Sequence, residues 1–157
     1  MLLVLGFQHI SKTYTWNTNP EVLAEKTNSP HEAIQYLKSI DIADKANMFN
    51  GYNYGGYLIW NYPEEKTFID GRMPHWRTED RHLLKIHDEI QKVSKKGKEY
   101  FREYDIGYVL INRGAELAEW LKQHPQNETW EMTYQDFRYS VFIKKDLLNE
   151  LDNADVD

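Results

Sequence analysis

Apolar positions recur along this chain with two different periods, and the switches between them mark its elements. Ala33, Ile34, Leu37 and Ile40 repeat at helical spacing behind Ser29 and Pro30. That spacing predicts a short amphipathic helix over 30–40, with Ser29 as N-cap and Pro30 as first helical residue. Residues 46–50 form a short apolar run and predict a strand. Gly51 to Gly56 is rich in turn formers, and Tyr57-Leu58-Ile59-Trp60 continues as a buried helix or strand that Pro63 closes. Lys66-Thr67-Phe68-Ile69 predicts a second short strand ending at Asp70-Gly71. Leu83, Ile86, Ile90 and Val93 stripe one side of a helix over 79–95. Gly97 is expected to break it, and 98–104 resumes as a helical turn bearing Tyr100, Phe101 and Tyr104. Gly107 to Ile111 is apolar throughout, as a parallel strand covered on both faces should be. A helix over 114–123 turns Leu117, Ala118 and Leu121 inward. Residues 129–135 and 138–144 form a hairpin with its turn near Asp136-Phe137. The stretch from Asp146 holds five acids and no bases and reads as an acidic tail with a frayed helix.

The order helix, strand, helix, strand, helix, strand, helix, hairpin implies an α/β fold. The expected form is a three-layer sandwich with a central, mostly parallel sheet and an antiparallel C-terminal hairpin. The expected organisation is an apolar start and extended lead-in over 1–28, one α/β domain over 29–145, and the tail over 146–157. The chain has 157 residues, a length that suits one domain. It is 41% hydrophobic and 14% aromatic, enough to bury a core. With 25 acids against 19 bases it does not read as a nucleic-acid binder, whose affinity comes from neutralising phosphates. It contains no cysteine, so disulfides and thiolate metal sites are excluded. Met1–Phe7 is apolar but far short of the roughly 20 residues that span a bilayer. It reads either as a first strand or loose terminus, or as the trailing end of a membrane helix.

Two segments carry candidate chemistry. In the first, Tyr52, Asn53, Tyr54, Gly55, Gly56 and Tyr57 follow a strand and precede an apolar run. With Asn53 as N-cap, Gly55 and Gly56 fall in a first helical turn, whose amides attract anions, while the tyrosines suit sugars or peptides. The alternative is that the glycines allow tight packing and the aromatics are core. The second segment is Asp70-Gly71-Arg72-Met73-Pro74-His75-Trp76, just past a predicted strand, where ligands gather in open α/β sheets. Arg72 is placed to clamp a phosphate or carboxylate, Asp70 to accept from sugar hydroxyls, His75 for acid–base work, and Trp76 to stack on a pyranose. The alternative is an Asp70–Arg72 pair that only fixes the loop. His82 and His87 lie five apart on one helix, about 140° around its axis, and read as solvated. Lys92, Lys95, Lys96 and Lys98 form a basic helix end, facing solvent or lipid head groups. No hydrolase nucleophile motif, catalytic set, metal site or cofactor motif is present in the sequence pattern.

Phe49 to Trp60, followed by Phe68-Ile69-Asp70-Gly71-Arg72-Met73-Pro74, resembles the C-terminal soluble domain of certain prokaryotic GT-C-type membrane glycosyltransferases. The group resembled is the dolichyl-phosphate-mannose–protein mannosyltransferase-like one. The helix over 30–40 and the run Tyr104–Ile111 sit where that family has them, so the likeness covers roughly residues 28–145. Tyr52-Asn53-Tyr54-Gly55 is more distantly similar to the Trp-Trp-Asp-Tyr-Gly motif of the oligosaccharyltransferase catalytic subunit. Asn53 stands there in place of the aspartate and Tyr52 in place of tryptophan. The resemblance implies an extracytoplasmic accessory domain that helps recognise or position an acceptor or lipid-linked sugar and has no catalytic site of its own. Its implied partners are the membrane-embedded transferase portion of the same protein and a glycan, a polyprenyl-phosphate sugar or a peptide acceptor. Met1–Phe7 then becomes the stub of the last membrane helix. Two alternatives from the residues remain: a free-standing, cytoplasmic enzyme or binding protein for a phosphorylated small molecule, and a purely structural interaction domain.

Overall fold

A computed structural model describes residues 28–72, 77–78, 81–123 and 125–154. The apolar start, His9, His75, Trp76 and His124 lie outside them. The chain forms a mixed α/β fold around a four-stranded sheet. In chain order the elements are α1 (His31–Ser39), β1 (Asn47–Asn50), a 3₁₀ turn (Tyr52–Tyr54), α2 (Gly55–Asn61), β2 (Arg77–Thr78), β3 (Arg81–His82), α3 (Leu83–Gln91), α4 (Lys95–Glu103), β4 (Ile106–Asn112), α5 (Glu116–Lys122), α6 (Gln126–Thr129), β5 (Trp130–Gln135), β6 (Tyr139–Lys144) and α7 (Lys145–Ala154). The sheet order is β1-β4-β6-β5, and β2 and β3 pair separately as a short antiparallel ribbon.

The sheet alternates its side chains between two apolar clusters, as the period of two in a strand requires. Phe49, Val109 and Phe142 stand in register across β1, β4 and β6 and belong to one cluster. Their neighbours Met48, Tyr108 and Ile143, also in register, belong to the other. Ala33, Ile34 and Leu37 of α1 join the Met48 cluster, with Leu58 of α2. Ile86 and Ile90 of α3, Phe101 of α4, and Leu117, Ala118 and Leu121 of α5 join the Phe49 cluster. The helical stripes read from the sequence are thus the buried faces. The stretch read as an acidic tail contains α7, whose Leu147 and Leu151 are buried in the Met48 cluster.

Four expectations change. The sheet is mixed, not mostly parallel: β1 and β4 are parallel, while β4–β6 and β6–β5 are antiparallel. The missing parallel strand is the one expected at 66–69, which forms no strand. Its backbone groups bond to a side chain instead. Asn50 Oδ1 accepts from the Phe68 amide at 2.8 Å, and Asn50 Nδ2 donates to the Ile69 carbonyl at 2.8 Å. Gly97 does not end a helix either. The break falls at Val93–Ser94, and Ser94 caps α4 by accepting from the Gly97 amide at 2.9 Å. A Cβ at Gly97 would lie 1.9 Å from the Glu89 carbonyl oxygen, so the glycine permits the close approach of α4 to α3. Finally, α1 starts one residue later than expected, with Pro30 in the cap position and no side-chain cap bond. Among the described residues no helix is long and apolar enough to cross a membrane.

Candidate functional site

The parallel pair fixes where a site can form. β1 and β4 both end at one edge of the sheet, and in α/β folds that edge is where chain crossovers leave a crevice. Here the crevice is a cavity of about 600 Å³. One wall is the turn Gly51–Tyr54 that follows β1. A second is α3 and its entry, with His82, Lys85, His87, Asp88 and Gln91. The floor is the end of β4, Ile111 and Asn112. The lining combines two tyrosine rings, two imidazoles, carboxamides, an ammonium and a carboxylate, a mixture suited to a neutral, hydroxyl-rich ligand or an extended peptide.

The turn is held rigidly. Tyr54 is buried, and its hydroxyl donates to the Leu110 carbonyl at 2.8 Å, while its ring meets Tyr139 edge-on at 5.3 Å. Burial raises the Tyr54 pKa, so the phenol stays protonated and keeps donating. The Gly51 amide donates to the same carbonyl at 3.3 Å. Tyr52 is half-buried and Asn53 is exposed beside the cavity. Asn53 is not the N-cap of the following helix. A 3₁₀ turn intervenes, Tyr54 occupies the cap position, and no side chain caps α2.

The remaining sequence candidates lie behind that wall. Gly55 is buried against the chain at Ile69–Asp70, and its amide donates to the Tyr52 carbonyl to close the 3₁₀ turn. It therefore offers no free amide to an anion, which counts against phosphate capture at this helix start. Gly56 is exposed, and Tyr57 is half-buried with its hydroxyl 2.9 Å from His31 Nδ1. Asp70 is turned inward, its side chain 1% exposed, and accepts from the Arg72 amide at 2.8 Å, Arg72 Nε at 2.9 Å and Arg72 Nη2 at 3.1 Å. Those hydrogen bonds from Arg72 hold the Asp70 carboxyl below the usual carboxylate range. None of Gly55, Gly56, Tyr57, Asp70 and Arg72 lines the cavity. The structure thus joins the two candidate segments back to back through Gly55 and Asp70, but of their described residues only Tyr52, Asn53 and Tyr54 face the space where a ligand fits.

Comparison with known proteins returns no matching family model, no matching curated sequence and no matching solved structure. The site is therefore interpreted from its own geometry. Among the described residues no group of three or more histidines and carboxylates is placed to hold a metal ion.

The residue that the sequence reading misplaced is His87. It is buried, not solvated. Its ring stacks on Phe49 with centroids 4.9 Å apart and planes 15° apart, and its Nε2 lies 3.0 Å from the Asn50 carbonyl oxygen. A carbonyl only accepts, so Nε2 carries the hydrogen. The signal was present: His87 stands four residues after Leu83 and three before Ile90, on the apolar stripe itself. His82, Lys85, Asp88, Gln91 and Asn112 were also missed as cavity residues, because nothing in a lone sequence says which helix will flank a turn.

Burial lowers the His87 pKa, so the folded protein holds this ring neutral. The unfolded chain takes up the proton first as pH falls, from about 6.5 downward. The His87 contribution to stability is then complete above about 6.5 and is lost as pH falls toward the folded value. His87→Gln keeps a donor for Asn50 but cannot titrate. Urea unfolding of both proteins between neutral and mildly acidic pH should show the wild-type advantage shrinking as pH falls. A constant difference would mean that His87 titrates alike in both states.

Proposed function

We propose that this chain is a ligand-recognition domain of a membrane glycosyltransferase-like protein, working beside the catalytic portion at the extracytoplasmic face. It positions an acceptor or a lipid-linked sugar and carries no catalytic set of its own. The observation that supports the reading most is the cavity of about 600 Å³ at the carboxyl ends of the parallel pair, walled by Tyr52, Asn53 and Tyr54. These residues are distantly similar to the acceptor-binding motif of the oligosaccharyltransferase catalytic subunit, with Asn53 for its aspartate and Tyr52 for its tryptophan. The division of the apolar core into two clusters favours the three-layer sandwich as the finer description of the fold. Asp70 and Arg72 then serve to brace the turn from behind, not to contact ligand.

Isothermal titration of the full chain with oligosaccharides, short-chain polyprenyl-phosphate sugars and peptides tests the reading. One of these classes is expected to bind, and Tyr52→Ala is expected to weaken it about tenfold, as losing one contact aromatic worth about 1.4 kcal/mol would. The melting temperature should hardly move, because Tyr52 is only half-buried. Absence of binding by all three classes, or equal binding by Tyr52→Ala and Asn53→Ala, would sink the proposal.

A further inference from the structure

The cavity edge of the sheet also carries an exposed aromatic that the fold holds outward. Phe137 is 86% exposed at the β5–β6 turn. The turn is fastened by Asp136, whose Oδ1 accepts from the amides of Arg138 at 2.6 Å and Tyr139 at 2.7 Å. Asp136 Oδ2 accepts from the Tyr134 hydroxyl at 3.0 Å, and the Asp136 amide donates to the Tyr139 carbonyl at 3.0 Å. With its neighbours bound this way, Phe137 is presented at a rigid tip. Arg113, just after β4, donates its amide to the Arg138 carbonyl at 2.7 Å. Arg113 and Arg138 are both exposed beside Phe137, with no ion pair among the described residues. Asp136, the nearest carboxylate in sequence, is already occupied by the turn.

Two further observations give this edge a direction. The chain enters here: the Tyr139 hydroxyl donates to the carbonyl of Asn28, the first described residue. The opposite edge, where β1 and β4 start, is acidic. Its cleft is lined by Asp44, Glu65, Asp105, Asp146 and Glu150 against Lys45, Lys66 and Lys144. An anionic surface would attract the arginine edge and repel the acidic one.

We infer that Phe137, Arg113 and Arg138 form a contact point for an anionic lipid bilayer. The phenyl ring enters the headgroup boundary, the guanidinium groups take lipid phosphates, and the cavity is held against the membrane surface. The inference rests on the membrane-associated reading above. It specifies which edge of the domain meets the bilayer, and so which way the cavity faces.

Co-sedimentation of the full chain with vesicles tests it, using phosphatidylcholine alone and phosphatidylcholine with about one-third phosphatidylglycerol. Binding is expected to the anionic vesicles at low salt, and to fall at high salt. Arg113→Gln and Arg138→Gln should each lower it about fivefold, and Phe137→Ala about tenfold. None should alter thermal unfolding, since all three side chains are exposed. Lys95→Glu with Lys96→Glu should bind like the wild type. Absence of vesicle binding, equal binding to both vesicle types, indifference to Phe137→Ala, or control by the lysine pair would each overturn the inference. Vesicle binding and sugar or peptide binding are separate readouts, so failure of one is distinguishable from failure of the other.

Discussion

Gly55→Ala is expected to lower the stability of this protein by about 3 kcal/mol, at the upper end of what overpacking costs. An added Cβ would fall 2.1 Å from the Ile69 carbonyl oxygen, 2.7 Å from Asp70 Cα and 2.8 Å from Asp70 Cβ. The first two are backbone atoms, so no rotamer change relieves the clash. Either α2 or the 69–70 segment must move by about an ångström, in an interior packed to crystal-like density. Moving the segment disturbs the Asn50 bonds to Phe68 and Ile69, and moving α2 disturbs the 3₁₀ turn that walls the cavity. Gly56→Ala is the matched control. A Cβ there meets nothing within 4 Å, and alanine gains as much as about 1 kcal/mol in helix propensity. Urea unfolding should give a lower midpoint with an unchanged slope for Gly55→Ala, and an equal or higher midpoint for Gly56→Ala. Similar behaviour of the two variants would contradict the packing account.

The adjacent glycines illustrate how far the sequence could be read. Their place after an apolar run and before Tyr57-Leu58 left helix or strand open for the segment that Gly55 and Gly56 begin, and it proves to be a helix. That only Gly55 is sterically required did not follow, because the chain it touches lies fourteen residues on, at Ile69. Local periodicity carried α1, α5 and the body of α3, since each buries a stripe that repeats at the helical period, while Arg81–His82, expected within the helix over 79–95, form β3. It failed at 66–69, where the backbone of Phe68 and Ile69 is claimed by a single carboxamide. It failed at His87 for the opposite reason. The residue type suggested a solvated ring, although the position lay on the buried stripe. In the site itself, the tyrosine–asparagine turn was legible as a surface feature. The partner wall from α3 was not, because it depends on how β3 and α3 return to the sheet edge after the crossover.

Asp70 and Arg72 show a further difficulty. An aspartate and an arginine two residues apart near a strand end have the composition of a ligand clamp, and also that of a braced loop. What decides is direction. Asp70 turns inward beneath Gly55 and takes three hydrogen bonds from Arg72, while the Arg72 side chain stays 72% exposed. The pair orders the backbone behind the cavity, and its effect on any ligand passes through the position of the Gly51–Gly55 turn.

Asn50→Leu is expected to have the larger effect of the two, about 4 kcal/mol. Asn50 is wholly buried at the end of β1. Its Oδ1 accepts from the amides of Phe68 at 2.8 Å and Ile69 at 3.4 Å, and its Nδ2 donates to the carbonyls of Ile69 at 2.8 Å and Gly51 at 3.0 Å. Leucine has nearly the same shape and makes none of these bonds. Each buried backbone group stripped of its partner costs about 1–3 kcal/mol, against a total stability of about 5–15 kcal/mol for an ordinary domain. Asn50→Asp separates donor from acceptor. The carboxylate keeps the bonds from the amides but faces two carbonyl oxygens, a repulsive arrangement that burial strengthens. Its folded pKa must lie above the unfolded value of about 3.9. The stability it retains in the protonated form is therefore present below that value and lost as pH rises. Urea unfolding across pH should show Asn50→Asp closing part of its gap to the wild type in acid, while Asn50→Leu shows no such recovery. A loss below about 1 kcal/mol for Asn50→Leu would mean that the 68–69 segment is held by its apolar contacts, Phe68 on Phe49 above all, and not by this carboxamide.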